Sequence, residues 1–261
     1  MGKFIDRTGE RFKNKEDLGG YEFVIIEYNN NKDVWVEFQD KYRARVHTIY
    51  EWCKKGRIKN PYHPNTYGGY IGQGKYKSKD EQGNLTKCYE DWYNLLKRIG
   101  NKVNNSRSLA YEDAILVEEW YNFQNYAEWW YANKYDVEGE TMCVDKDILN
   151  KGNKIYSPDT CIFVPERINM LFINTLKKDR KYPIGVHYMK ANGKYVAQCS
   201  IMCNGEQNGI YLGLYITPEV AFLVYKEFKE AYIKEVADEY KDKIPQRLYD
   251  AMYAWEVDID D

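Results

Sequence analysis

Four residues in the middle of the chain have side chains suited to metal-assisted chemistry: Asp145, Lys146, Asp147 and Asn169. They lie in the stretch V-D-K-D-I-L-N-K-G-N-K-I-Y-S-P-D-T-C-I-F-V-P-E-R-I-N, from Val144 to Asn169. A carboxylate and a carboxamide are hard oxygen donors, able with water to hold one divalent cation such as Mg²⁺. Hydrolysis at such an ion needs a group that takes a proton from water near neutral pH. Asp147 is the acid at hand, and its ordinary pKa of roughly 4 makes it a weak base unless shifted. Lys146, if solvated, is a poor one.

Asp145 and Asn169 meet only if the stretch folds back on itself. Met142 to Lys146 reads as a short strand, Gly152-Asn153 as a turn, and Thr160 to Val164 (T-C-I-F-V) as the returning strand. Pro165 suits the first turn of a helix running through Leu171. The expected unit is therefore ββα, with Asp145 ending the first strand and Asn169 facing it from the helix.

This stretch resembles the HNH (ββα-metal) nuclease motif, in the form carried by phage-encoded homing-endonuclease-like proteins. Asp145, Pro158, Ile162 to Val164 and Asn169 carry the resemblance. It implies Asp145 and Asn169 as ligands of Mg²⁺ or another divalent cation. The family places a general-base His directly after the Asp; Lys146 occupies that catalytic position here, and Thr160 replaces the usual Asn before the second strand. The expectation is a ββα scaffold with weak or lost nuclease activity.

Charge is unevenly spread. The net charge is −2, yet Lys41 to Lys79 holds ten Lys or Arg and one acid, Glu51, whereas Asp80 to Asp147 holds fourteen acids and seven bases. Such a division gives an electrostatic face. Lys54, Lys55, Arg57, Lys59, Lys75 and Lys77 are the expected phosphate contacts. The six cysteines form no C-x-x-C pair and have no His at zinc-finger spacing, so reduced core thiols are expected. No apolar run approaches ~18 residues and no signal peptide is seen, so the chain reads as soluble, without a membrane partner.

Along the chain, Phe23 to Tyr28, Val34 to Phe38 and Arg43 to Thr48 read as strands of a small meander or barrel. Pro61 to Tyr76 is a Gly- and Tyr-rich segment, read either as a nucleic-acid contact or as an ordered loop wrapping its neighbour. His47 and His63 could each complete a site from another module. Lys87 to Ile99 and Val117 to Tyr131 have helical apolar stripes. The run from Glu118 to Trp129 resembles the scaffold helix on which the family's ββα unit rests.

After Asn174 to Pro183, a basic linker, Ile184 to Met189, Tyr195 to Ile201 and Tyr211 to Tyr215 read as three strands. Asn192-Gly193 marks the first hairpin turn, and Asn204-Gly205 and Asn208-Gly209 the next connection. Thr217 is placed to cap a helix from Pro218 to about Asp242, and a short helix follows Pro245. Three strands on one helix, with Gly185-Val186, Gly193-Lys194-Tyr195, Ala197 and L-G-L-Y-I-T-P-E-V-A (Leu212 to Ala221), resemble the plant ethylene-response-factor (Apetala-two) DNA-binding domain. That resemblance implies DNA contacts from His187, Tyr188, Lys190, Lys194, Tyr195, Gln198 and Ser200. The sheet has few arginines, the residue best suited to guanine readout.

The fold class expected is α+β: a β module (1–60), a basic linker (61–86), a helical scaffold with the HNH-like ββα unit (87–173), and a three-stranded sheet on a long helix with a C-terminal helix (183–261). Three functions compete. One is a phage-type protein binding double-stranded DNA, with nuclease activity weak or lost. The second is an active metal-dependent DNA endonuclease. The third is a phage accessory protein that binds and inhibits a host defence protein complex. Each places the chain in the cytoplasm of the host cell.

Overall fold

The computed structural model describes residues 5–100, 113–172, 180–203 and 206–261. The polar loop 101–108 and most of the linker 174–183 lie outside them. Contacts group the chain into two compact units, one of Met1–Val103 and Leu116–Ala132, the other of Asn104–Ile115 and Asn133–Asp261. The fold is α+β.

The first unit begins with an antiparallel meander, β1 (Arg11–Lys13), β2 (Glu22–Asn30), β3 (Asp33–Phe38) and β4 (Arg45–Thr48), in that spatial order. The short strand β1 has no counterpart in the sequence reading. Alternation sends Val34, Val36 and Phe38 to one side of β3, where with Phe23 and Ile25 they are fully buried. Each such side chain removed from water contributes about 1.5–3 kcal/mol. Glu37, on the other side, is also buried, against expectation for a charged residue. It is tolerable because Arg43 and Arg45 reach its two oxygens at 2.6 and 3.0 Å.

A single helical turn, α1 (Tyr50–Lys54), leads to the Gly/Tyr-rich segment and then to α2 (Lys87–Gly100). Trp92, Leu95, Leu96 and Ile99 form its buried stripe. The stretch from Val117 to Tyr131 is not one helix. A 3-10 turn (Glu118–Tyr121) is followed by extended backbone at Asn122, then α3 (Phe123–Asn133). Tyr70 causes the break: its N–H donates to Tyr121 O and its carbonyl accepts from Phe123 N, both at 2.9 Å, in place of helix-internal bonds.

In the second unit, β6 (Met142–Asp145) pairs antiparallel with β8 (Ile162–Pro165), and α4 (Glu166–Phe172) follows directly. The expected hairpin and helix are present, with Pro165 as the last strand residue opposite Met142 rather than the first helical one. Between the strands comes the two-residue β7 (Ile155–Tyr156), and just before it Lys154 O accepts from Ile115 N, in β5 (Ile115–Leu116). The long connection is tied by Asn153, whose Nδ2 donates to Lys146 O at 2.7 Å and to Ile155 O at 2.8 Å.

The C-terminal sheet has β9 (Val186–Met189) and β11 (Glu206–Tyr215) on either side of β10 (Lys194–Cys203). Asn208-Gly209 is not a connection, since Gly209 lies within β11, opposite Ser200, and Asn204-Gly205 lies outside the described residues. Thr217 caps α5 (Pro218–Glu239) by accepting from Val220 N, and α6 (Gln246–Tyr253) returns along it. Ile162, Val164 and Ile168 share one core with Ile233, Val236, Leu248 and Met252. One hydrophobic core is therefore shared by the ββα unit and the C-terminal helices on either side of 174–183, and a smaller one, with Cys199, Phe222, Tyr225 and Val257, belongs to the C-terminal part.

Candidate metal centre and nucleic-acid surface

Asp145 ends β6, as its place in the sequence suggests, but its carboxylate is already engaged. Oδ1 accepts from the backbone N–H groups of Asp147 and Ile148, each at 2.8 Å, a side-chain cap on the turn leaving the strand. Burial, and then the neighbouring Asp147 charge, raise its pKa to about 6, with the two amide bonds acting in the opposite sense. Lys146 is only 6% exposed. Its ammonium sits 3.0 Å from Asp147 Oδ2 and 5.7 Å from the centre of the Tyr156 ring. A buried lysine must be paired, and Asp147, the substitute base, supplies the partner.

Asn169 lies half-buried on α4, with no described hydrogen bond to Asp145. Among the described residues, no three His, Cys, Asp or Glu side chains lie together as a metal-ligand group. Asp145 Oδ1 is thus taken up by two amides, and Asp147 Oδ2 already faces an ammonium. This donor set fits a divalent cation poorly.

Thr160 bonds Ser157 Oγ at 2.8 Å and donates to Ile155 O at 2.7 Å, so it closes the loop. His47 lies 2.9 Å from Asp33, and His63 against Tyr21. Both belong to the meander unit.

The basic stretch divides by pairing. Arg43 and Arg45 share Glu37, Lys55 pairs with Glu51, and Lys75 reaches Glu128 at 3.3 Å. Lys41, Lys54, Arg57, Lys59, Lys77 and Lys79 are exposed and have no carboxylate within ion-pair distance among the described residues. Glu37 and Glu128 lie outside the stretch, so counting charges within it does not find them.

The glycines of the Gly/Tyr-rich segment meet protein. A side chain at Gly69 would strike Leu96 and Trp92, and Gly72, at φ +68°, turns against Asn122. Gln124 stitches the segment down, donating to Ile71 O and Tyr76 O and accepting from Tyr76 N. The ordered-loop alternative describes it.

The C-terminal candidates do not share one face. Register sets Tyr188 opposite Tyr195 and His187 opposite Val196, so the two pairs project to opposite sides. Tyr188, Tyr195 and Tyr182 form a cluster of rings 5.2–6.3 Å apart. Lys194 shares the parity of His187, Gln198 and Ser200 lie beyond a register shift after Ala197, and all four are exposed. Lys190 lies in the hairpin turn, also exposed.

Cys53, Cys88, Cys161 and Cys199 are buried thiols outside any disulfide. Among the described residues no helix is long and apolar enough to cross a membrane. No family model matches the chain, and neither a curated protein nor a solved structure does.

Proposed function

We propose that this chain binds double-stranded DNA through the meander unit, and that it is a relative of phage HNH homing endonucleases whose ββα unit serves as a scaffold, with nuclease activity weak or lost. The observation that carries the binding is the set of six exposed, carboxylate-free cations between Lys41 and Lys79. When cations not neutralised by a carboxylate meet phosphates, counterions are released, so affinity falls steeply with salt. His187, Lys194, Gln198 and Ser200 offer a second, weakly basic contact surface. The loss of activity is supported by the geometry around Asp145, where backbone amides, Lys146 and Asp147 occupy one another.

Titrating a labelled duplex at salt concentrations from about 50 to 200 mM tests the binding, with an expected loss of several hundredfold or more. Affinity that is flat with salt, or absent at low salt, removes the reading.

A second reading, a working endonuclease using Mg²⁺, draws on the two neighbouring carboxylates of Asp145 and Asp147, a negative pair that a cation would relieve. Supercoiled plasmid with Mg²⁺ or Mn²⁺ separates the two. The scaffold reading expects no robust nicking by the native chain, and a gain with Lys146→His, since a positioned acid–base group contributes about 100- to 10,000-fold. Robust nicking by the native chain, lost in Asp145→Ala, makes the endonuclease reading the better one.

A further inference from the structure

We infer that the groove between α4 and α5 is a docking site for a lysine-rich amphipathic segment of a protein partner. The groove encloses about 870 Å³ within the second unit. Met170, Ile201, Met202 and Tyr232 form its apolar lining, called the floor. Met170 is 48% exposed on α4, and methionines repack readily around a partner's side chains. Tyr232 is fixed beneath the groove by its hydroxyl, which donates to Met202 O at 3.2 Å.

The rim is acidic. Among the described residues, Glu140, Glu166, Glu235 and Glu239 line the groove with one cation, Arg167, so four carboxylates and one guanidinium give a charge of −3. Arg167 is held by Glu239 at 2.5 Å and lies 5.6 Å from the centre of the Tyr240 ring. Glu140 accepts from the Tyr240 hydroxyl, a neutral donor that leaves its charge in place. Glu166 and Glu235 are exposed, with no cationic partner among the described residues.

This charge repels phosphates, so the groove is no extension of a nucleic-acid surface. A small cation would answer the rim and leave the apolar floor wet. A helical or extended segment presenting apolar side chains to the floor and lysines to the rim satisfies both. The inference is independent of the DNA-binding reading, because it concerns other residues and the opposite charge.

The probe is a short fluorescein-labelled peptide of Lys and Leu at i, i+3, i+4 spacing, measured by anisotropy against the full chain, with its Glu-for-Lys counterpart as control. The Lys peptide should bind and the Glu peptide should not. Glu166→Lys with Glu235→Lys should weaken binding roughly tenfold, and Glu166→Gln with Glu235→Gln roughly threefold. Met170→Asp is the decisive variant. It adds a negative charge while spoiling the floor, so groove docking predicts a loss of roughly fivefold. A merely acidic surface would bind the peptide as well or better. Unchanged or improved affinity in Met170→Asp, or displacement of the peptide by spermine at equal charge, overturns the proposal. So does a concentration-dependent dimer in sedimentation velocity that the Glu→Lys pair abolishes, which would assign the groove to a second copy of the chain.

Discussion

Two groups of cations, one in each unit, are treated in opposite ways. In the meander unit, Lys54, Arg57 and Lys59 stand in solvent on a short exposed stretch, with the apolar Ile58 between them turned into the core. In the second unit several cations are instead tied down. Lys146 is buried against Asp147, and Lys151 donates to Glu256 O, Asp258 and Asp261. Lys226 holds Val257 O, and Arg167 holds Glu239. A lysine of the first kind is available to an outside polyanion, whereas one of the second kind is part of the fold. Local charge density does not distinguish them, since only the position of the nearest carboxylate does.

The largest test of this contrast is charge reversal in the meander unit. Lys54→Glu, Arg57→Glu and Lys59→Glu together should lower duplex affinity about 100-fold or more at low salt and reduce the log–log salt slope by about 3. Lys151→Glu, the matching change in the second unit, should leave duplex affinity within about twofold. If the two sets of substitutions act alike in an anisotropy titration, the contrast has no functional meaning.

A smaller effect concerns Asp145. Its pKa is raised on folding by burial and by Asp147, so the folded state favours the protonated form. The resulting stability is present below the ordinary aspartate pKa of roughly 4 and is lost as pH rises through the folded value of about 6. Asp145→Asn keeps an oxygen for the amides of Asp147 and Ile148 and removes the charge. Relative to the native chain it should gain on the order of 2 kcal/mol between pH 4 and pH 7, read from urea unfolding at each pH. An unchanged difference across that range would show that Asp145 ionises freely.

The smallest effect is expected from Lys151→Ala. It releases the acidic end of the chain, and because these pairs are partly solvated the loss should be only about 1 kcal/mol. Heat or urea unfolding would report it, with a greater loss at low ionic strength than at high. A loss independent of salt would point to packing of the lysine stem over Trp255 instead.

Much of the secondary structure is legible in contiguous residues. The alternation of Val34, Val36 and Phe38, the stripe of Trp92, Leu95, Leu96 and Ile99, and the Thr217-Pro218 start of α5 each act within a few positions, where propensity and periodicity operate. The same holds for the β6–β8 hairpin and α4. The candidate site is legible only as a set of residue types. Asp145 could be placed at a strand end, but its service to two backbone amides depended on the turn actually formed.

Tertiary structure decided the rest. Tyr70 interrupts a run whose own periodicity is helical, because bonds to Tyr121 and Phe123 replace those the helix would make. Strand register divided the C-terminal contact candidates between two faces. The pairing of cations was decided at the greatest distance along the chain: Lys151 and Asp261 are separated by 110 positions and meet at 2.8 Å. Propensity is a property of neighbours in sequence, whereas Coulomb attraction and burial depend on neighbours in space. The sequence therefore determined which segments are strands and helices, and the folded chain alone determined which charges remain for a partner.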